Sequence, residues 1–309
     1  MKILVTGACG FIGFHVAKKL CESYEVVGID HPKYCSANEL WNKRREKLLR
    51  IPSFHYLEMD LANPDDMWML AKYQFDAIIH LAAVPGVARS IYNPLSYLPN
   101  ISGFLNLLEW YKHDGIPIYY ASSSSITGDH DDASRNYPLS FYATTKKTNE
   151  LTAHNYHHLY GMNTVGMRFF TVYGPYGRPD MAVWKFSDAI INNMPIHLYN
   201  NGELFRSFTY IEDVVKSIEL LLCKKPKGYH IVDIGCNQSF SVPYLIEKLE
   251  ALLGQSANVV KHEGIRGESK VTQANPMTLL NLIGYSPSTE LGEGLKEWVK
   301  WYKEECCEA

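Results

Sequence analysis

A tyrosine and a lysine four residues apart, Tyr142 and Lys146, are the residues in this sequence whose types and spacing most directly suggest chemistry. They lie early in a helical pattern that runs to about Tyr160, and residues four apart share one face of a helix. A phenol titrates near pH ~10, but a nearby ammonium can lower its pKa by roughly one to three units. The spacing predicts a general base at Tyr142, although it also fits a surface tyrosine beside a solvated lysine.

A glycine-rich turn near the N-terminus predicts a dinucleotide site. Gly7, Gly10 and Gly13 form a GxxGxxG pattern between an apolar strand pattern and a helical pattern. Glycines allow the backbone to approach a pyrophosphate closely, and the helix N-terminus attracts its charge. Asp30 ends the next strand, where its carboxylate can accept hydrogen bonds from an adenosine ribose and repel a 2'-phosphate. NAD is therefore favoured over NADP, although Lys33 lies close enough in sequence to complicate that preference.

Four consecutive serines, Ser122 to Ser125, follow the fifth predicted strand. The carboxyl edge of a parallel sheet is where open α/β folds bind ligands. Serines at strand ends also form ordinary turns. Beside a tyrosine and lysine pair they favour a polar active-site shelf.

The elements that position these residues alternate between strands and helices. We predict strands over 2–6, 25–30, 54–59, 77–80, 116–121 and 162–170, and helices over 11–20, 38–49, 65–72, 95–113 and the segment containing Tyr142. Such alternation predicts a doubly wound parallel sheet covered on both faces, a Rossmann-type α/β fold. Residues 1–171 are expected to form this domain.

The pattern changes to loops and shorter elements after residue 171. We predict helices over 181–193, 211–223, 242–253 and 290–303, and short strands over 196–199, 207–210 and 229–234. Residues 172–309 are therefore expected to form mainly a smaller substrate-binding lobe, from which the chain can cross back to the first domain.

Composition excludes several classes of function. The formal net charge of -3 gives no basic footprint for nucleic acid. The seven cysteines follow no disulfide or zinc spacing. We expect His80 to be structural, and His154, His157 and His158 have no carboxylate partners at metal spacing. With no signal-peptide pattern and no apolar run of about 20 residues, a cytoplasmic protein without a metal or membrane association is expected.

Taken together, the glycine turn, the serine run and the Tyr142/Lys146 pair resemble the extended short-chain dehydrogenase/reductase family of nucleotide-sugar enzymes. Two longer segments are similar to the UDP-glucuronate 4-epimerases of that family. These are residues 140–150, SFYATTKKTNE, and residues 168–182, RFFTVYGPYGRPDMA. The second segment is the more specific, because neutral-sugar epimerases carry other residues there.

The resemblance implies catalytic roles. Tyr142 is expected to take the proton from the sugar 4-hydroxyl as hydride leaves carbon 4 for NAD. Lys146 is expected to lower the pKa of Tyr142 and to hold the nicotinamide ribose. Ser123, or Ser124 if the register shifts by one, is expected to hydrogen-bond the same sugar oxygen.

The resemblance also implies binding roles. Ser124, Ser125 and Thr171 are expected to contact the sugar carboxylate, and Arg178 and Arg206 to clamp the diphosphate. The implied cofactor-binding residues are Gly7, Gly10, Phe11, Ile12, Gly13, Asp30, Asp60, Leu61, Leu81, Ala82, Ala83, Asn100, Tyr142 and Lys146. A homodimer formed through the helices over 95–113 and 140–160 is implied as well.

The chain departs from the family pattern at three places. Ala88 stands where the family carries an arginine, and Arg89 follows one position later. Thr127 replaces a tyrosine, and residues 266–268, RGE, stand where the family has Gly-Asp. These changes bear on the sugar and leave the residues of hydride transfer intact.

The expected function is an NAD-dependent 4-epimerase that interconverts UDP-glucuronate and UDP-galacturonate through a 4-keto intermediate. The alternatives are a UDP-glucuronate decarboxylase, a neutral UDP-hexose 4-epimerase, a dehydrogenase with net redox output, and a non-catalytic regulator that binds NAD or a nucleotide sugar.

Overall fold

The computed structural model describes residues 1–35, 38–127, 137–263 and 270–307. Strands and helices alternate through the first half of the chain, as the apolar patterns predict. The elements are β1 Lys2–Thr6, α1 Phe11–Leu20, β2 Glu25–Asp30, α2 Asn38–Leu49, β3 Phe54–Glu58, β4 Ala77–His80, α3 Val87–Tyr92, α4 Pro99–Tyr111, β5 Ile118–Ser123, α5 Phe141–Tyr160 and β6 Thr164–Phe169.

Two predicted helices differ from the structure. The segment predicted over 65–72 is a 3₁₀ helix, Pro64–Leu70. The helix predicted over 95–113 is divided into a 3₁₀ helix, Pro94–Tyr97, and α4, which begins at Pro99. Proline has no N–H to continue a preceding helix, so Pro99 marks the break.

The second half contains shorter elements. They are β7 Thr171–Tyr173, α6 Ala182–Ile191, β8 Pro195–Leu198, β9 Phe205–Arg206, β10 Phe208–Tyr210, α7 Ile211–Lys224, β11 Tyr229–Ile234, β12 Phe240–Ser241, α8 Val242–Leu253, β13 Asn258–Lys261, β14 Val271–Thr272, α9 Met277–Ile283 and α10 Leu291–Tyr302. The strand predicted over 207–210 corresponds to β10, and the shorter strand β9 lies just before it in the sequence. These elements form the small sheets β10-β7, β12-β9-β14 and β13-β8.

The main sheet has seven strands in the order β11-β6-β5-β4-β1-β2-β3, and every neighbouring pair is parallel. The sequence predicted that the sheet is complete with β6. This prediction was wrong, because β11 adds a seventh strand beside β6. β11 pairs with β6 from Tyr229 opposite Thr164 to Ile234 opposite Phe169. The chain thus returns from its second half to the main sheet.

Side chains alternate across the sheet into two apolar cores. In β1, Ile3 and Val5 belong to one core and Leu4 to the other. Burial on both faces explains why these strands read as continuous apolar runs in the sequence. No helix within the described ranges is long and apolar enough to span a membrane. Gly128, the polar loop over 129–136 and the segment 266–268 lie outside the described residues.

Candidate active site

One large cavity, of about 890 Å³, opens at the carboxyl ends of the main strands. It is lined by every residue for which the sequence predicted a catalytic, cofactor-binding or substrate-binding role. Those residues are Gly7, Gly10, Phe11, Ile12, Gly13, Asp30, Asp60, Leu61, Leu81, Ala82, Ala83, Asn100, Ser123, Ser124, Ser125, Tyr142, Lys146, Thr171, Arg178 and Arg206. Segments far apart in sequence therefore form a single site, as expected at the edge of a doubly wound sheet.

The glycine turn is too closely packed for any side chain. Gly7 has φ +69°, and a Cβ there would lie 2.7 Å from the Ala82 nitrogen. A Cβ at Gly13 would lie 2.0 Å from the Gly7 carbonyl oxygen. The backbone at the start of α1 is thereby open to a ligand, and a helix N-terminus with exposed amides suits a pyrophosphate.

Asp30 stands beside this turn at the end of β2. Its Oδ2 accepts a hydrogen bond from the Cys9 N–H at 2.8 Å, and its Oδ1 accepts one from the His31 N–H at 2.8 Å. Burial raises the pKa of Asp30, which these bonds partly counter. Backbone donors thus fix the carboxylate at the cavity wall, with lone pairs remaining for ribose hydroxyls.

Lys33 does not line the cavity within the described part of the chain. Its Nζ lies 3.4 Å from Asp60 Oδ2. Tyr34 donates to the same carboxylate, at 2.8 Å from Oδ2. Lys33 thus lies beside Asp60, outside the lining of the cavity.

Asn100 fixes the loop after β4. Its Oδ1 accepts from the Val84 N–H at 2.7 Å, and its Nδ2 donates to the Val84 carbonyl at 3.0 Å. It is buried in the first turn of α4. The asparagine therefore shapes the cavity wall by fixing the backbone of this loop at Val84.

His80 is buried at the end of β4, where its Nδ1 lies 2.9 Å from Thr6 Oγ1. Burial lowers the pKa of His80 to about 3, so the ring is neutral. Its ring stacks on Phe104 at 5.2 Å between centroids. These contacts agree with the structural role expected of it.

Tyr142 and Lys146 enter the cavity from the first turns of α5. The Ser140 side chain caps this helix by accepting from the Ala143 N–H at 3.2 Å, and such a cap fixes the start of a helix. The Lys146 Nζ lies 5.9 Å from the centroid of the Tyr142 ring and donates to the Ala121 carbonyl at 2.9 Å. Burial lowers the pKa of Lys146 to about 8. The side chain is thus cationic at pH 7.

The pKa of Tyr142 is raised, opposite to the direction predicted from the sequence. Burial is the largest cause, and a hydrogen bond from Ser123 and the charge of Arg178 counter it in part. The predicted effect of Lys146 is not among these causes. Ser123 and Arg178 therefore stabilise the phenolate of Tyr142.

The four serines divide between two faces of β5. Ser122 points away from the site and donates to Glu150 Oε1 at 2.7 Å, and Arg168 pairs with the same glutamate at 2.8 Å. Ser123 lies on the opposite face, and its Oγ is 2.9 Å from Ser125 Oγ. The alternation of a strand thus selects Ser123, not its predecessor, to meet Tyr142.

Arg178 forms an ion pair that the sequence did not predict. Its Nε lies 2.9 Å from Asp180 Oδ1, and its Nη2 donates to Asp180 Oδ2. The Arg206 Nη1 donates to the Phe205 carbonyl at 2.9 Å. Both arginines line the cavity, as does Thr171 on β7.

Ala88 and Arg89 also line the cavity, from α3. The charge of Arg89 lowers the pKa of Tyr97, although burial raises that pKa more. Tyr97 meets Tyr142 edge to face at 6.0 Å between centroids. The shifted arginine therefore remains near the catalytic end of the cavity. Thr127 turns inward on its own loop and donates to the Ser124 carbonyl at 2.7 Å.

Arg44 and Tyr34 also line the cavity, although the sequence analysis did not predict this. Arg44 is 4% exposed and donates through Nη1 to the Cys9 carbonyl in the glycine turn, at 3.2 Å. A signal for it exists, because Arg44 lies four residues after Leu40 and four before Leu48, both buried. A charged residue in the apolar stripe of a helix points into the protein.

No group of three or more His, Cys, Asp or Glu among the described residues is arranged to hold a metal ion. The cysteines whose side chains are described, six in all, are free thiols.

Comparison with known proteins places this site among related ones. The model of the NAD dependent epimerase/dehydratase family matches residues 3–235. A UDP-glucuronate 4-epimerase from Thermodesulfobacterium geofontis is 38% identical, with 97% of this chain and 96% of the relative covered.

Two solved structures are also similar. The UDP-glucuronic acid 4-epimerase from Bacillus cereus, in complex with UDP-glucuronic acid and NAD, is 33% identical with a TM-score of 0.90, and 98% of this chain and 99% of that chain are covered. The UDP-glucose 4-epimerase from Thermotoga maritima, with UDP-glucose, is 26% identical with a TM-score of 0.89, covering 98% and 99%. Backbone likeness alone therefore does not separate acidic from neutral sugars.

Proposed function

The chain belongs to the NAD dependent epimerase/dehydratase family, and we propose that it is an NAD-dependent 4-epimerase that interconverts UDP-glucuronate and UDP-galacturonate. The observation that carries the proposal is that Ser123, Tyr142 and Lys146 line one cavity together with the glycine turn. The identity to relatives named UDP-glucuronate 4-epimerase supports the choice of sugar.

The residues of the first lobe fit NAD. The open backbone of Gly7, Gly10 and Gly13 receives the pyrophosphate, and Asp30 receives the adenosine ribose. When bound, NAD accepts hydride from carbon 4 of the sugar and returns it. The remaining cofactor contacts of our proposal are Phe11, Ile12, Asp60, Leu61, Leu81, Ala82, Ala83, Asn100, Tyr142 and Lys146.

Tyr142 moves the proton in this proposal. Its ionised form takes the proton of the sugar 4-hydroxyl, and the phenol returns it after the sugar has turned over. Because burial raises the pKa of Tyr142, only a small fraction of this side chain is ionised at pH 7. Ser123 and Arg178 stabilise the phenolate. Lys146, cationic at pH 7, holds the nicotinamide ribose.

An epimerase must hold the nucleotide firmly and the sugar loosely, because the 4-keto sugar turns over between the two hydride transfers. Arg206 and Arg178 supply charged donors for the firm contacts. Ser124, Ser125 and Thr171 supply small hydroxyl donors, which can meet the carboxylate in either orientation of the sugar. Hydroxyl groups therefore suit a uronate without locking it.

Product analysis tests the proposal. Purified protein with NAD is incubated separately with UDP-glucuronate, UDP-galacturonate and UDP-glucose, and the products are identified by proton NMR and mass. We expect each uronate to yield the other. Release of carbon dioxide with a UDP-pentose would establish a decarboxylase, conversion of UDP-glucose alone a neutral-sugar epimerase, and stoichiometric NADH a dehydrogenase. No turnover of any sugar, with NAD and UDP bound, would establish a regulator.

We also propose a homodimer formed through α4 and α5. These neighbouring helices expose large apolar side chains, including Leu105 on α4 and Leu151 on α5, which is 61% exposed. Exposed apolar surface of this kind commonly marks an interface. Light scattering should give twice the 35.2 kDa of the chain, and Leu151→Lys should shift it toward the monomer. Leu49→Lys, at an exposed leucine on α2, serves as the matched control.

Two further assignments belong to this proposal. Residues 1–171 form the NAD-binding domain and residues 172–309 form mainly the nucleotide-sugar lobe, which contributes β11 to the sheet of the first domain.

The second assignment is a cytoplasmic location. The free thiols suit the reducing conditions of the cytoplasm, and fractionation of cells that express the tagged chain tests that location.

A further inference from the structure

The segment that leads to Arg178 is held in an unfavourable backbone conformation. Tyr176 has φ +57°, a left-handed value that non-glycine residues rarely adopt, and Gly174 has φ +142°. Such a conformation is strained and persists only where surrounding contacts impose it. The contacts that hold this segment therefore determine where Arg178 lies.

Three consecutive carbonyls of this segment accept hydrogen bonds from side chains of the first lobe. His15 Nε2 lies 2.8 Å from the Pro175 carbonyl oxygen. Arg44 Nη2 lies 2.6 Å from the Tyr176 carbonyl and 3.3 Å from that of Gly177. Arg44 thus holds the two peptide groups directly before Arg178.

The same guanidinium also holds the glycine turn. Arg44 Nη1 donates to the Cys9 carbonyl at 3.2 Å. One planar group with fixed donor directions therefore bridges the turn that receives the cofactor and the segment that positions a substrate arginine. Lysine, with a single point of donation, cannot reproduce this span.

The charge of Arg44 is neutralised by no ion pair in the ranges that the structure describes, because no described carboxylate lies within 4.0 Å of it. Burial lowers its pKa to about 10, which leaves it cationic at pH 7. Its Nε is buried and makes no hydrogen bond. Burial of a cation whose hydrogen-bond partners are all neutral carbonyls is costly, and the charge of Asp30 offsets this cost only in part.

From this geometry we propose that Arg44 is a positioning residue, which fixes Arg178 relative to the glycine turn and thereby strengthens the hold on the UDP portion of the substrate. The inference rests on the proposed function, in which Arg178 contacts the diphosphate. Arg44 acts on the ligand through Arg178, so its effect on UDP binding depends on the presence of that arginine.

A double-mutant cycle tests this dependence. UDP binding is measured by calorimetry on NAD-loaded wild type, Arg44→Met, Arg178→Met and the double variant. We expect Arg44→Met to weaken UDP binding about tenfold in the wild-type background and less than about twofold in the Arg178→Met background, since residues that act as one unit are not additive. Arg50→Met, at an exposed arginine just after α2, should change neither value.

The inference would be overturned if substitution of Arg44 weakened UDP binding equally in both backgrounds, or in neither. Arg44→Lys in the same cycle should give the same dependence, and it decides the question if the methionine variant does not fold. Failure of both variants to fold would show Arg44 to be a residue of the core and would also overturn it. UDP is common to all UDP-sugar reactions, so a result against UDP-glucuronate epimerisation leaves the cycle interpretable.

Discussion

Arg178 and Asp180 form a two-point ion pair at the wall of the cavity, in which Nε lies 2.9 Å from Oδ1 and Nη2 donates to Oδ2. Burial raises the pKa of Asp180, but the hydrogen bonds and charge of Arg178 outweigh it and lower that pKa. The carboxylate therefore occupies the same fork of donors that a phosphate or a sugar carboxylate would use. In our proposal, the substrate therefore competes with Asp180 for Arg178.

Asp180→Asn should therefore lower KM for UDP-glucuronate. A partly exposed ion pair is worth about 0.2–1 kcal/mol, so the decrease should reach at most about fivefold, with kcat nearly unchanged. Steady-state kinetics with a coupled assay measures both values. Asp65→Asn, at an exposed aspartate that does not line the cavity, is the control. A higher KM would show that Asp180 orients Arg178 instead of competing for it.

Tyr142→Phe should reduce kcat by roughly 10²–10⁴-fold, because it removes the group that exchanges the 4-hydroxyl proton. NAD and UDP should bind with nearly unchanged affinity, since the ring remains in place against Tyr97. Calorimetry and product NMR on the same preparation separate binding from turnover. Turnover within a few fold of wild type would show that another group is the base.

Ser123→Ala should shift the pH profile of kcat toward higher pH. Ser123 lowers the pKa of Tyr142 by hydrogen bonding, so its loss raises that pKa and leaves less phenolate at neutral pH. We expect kcat at pH 7 to fall at least about tenfold and the deficit to narrow as pH rises. Ser124→Ala is the matched control, with the profile expected to stay in place. Equal shifts in both variants would contradict the assignment of Ser123.

His15 predicts a loss of stability in acid. Burial lowers its pKa from 6.5 to about 4, so between these values the unfolded chain binds a proton that the folded chain does not. The free energy of unfolding is unaffected by the titration of His15 above pH 6.5. It decreases as the pH falls from 6.5 toward 4, by roughly 3 kcal/mol in all. Urea unfolding of wild type and His15→Gln from pH 7 to 4 measures it.

Glutamine retains an N–H donor for the Pro175 carbonyl and does not titrate. Its stability should therefore decline less steeply than that of wild type over this interval. His80, whose pKa is also lowered, is present in both proteins and cancels in the comparison. Parallel curves would mean that His15 titrates normally in the folded state.

Local sequence determined the main features of the first lobe. The GxxGxxG spacing specifies a turn that only glycine can form, as the 2.0 Å approach at Gly13 shows, and alternating apolar runs specify buried parallel strands. Helical spacing places Tyr142 and Lys146 on one face. These features depend on neighbours a few residues away, so the sequence alone was sufficient for them.

Tertiary structure decided the features that depend on distant partners. β11 pairs with β6 across 65 positions of sequence, with Tyr229 opposite Thr164, and Arg44 contacts carbonyls 132 and 133 positions away. The direction of the Tyr142 pKa shift follows from burial, which outweighs the opposing effects of Ser123 and Arg178, and not from the lysine four residues on. Spacing fixes which residues share an element, whereas burial and long-range contacts fix their charge states and partners, and these appear only in the folded chain.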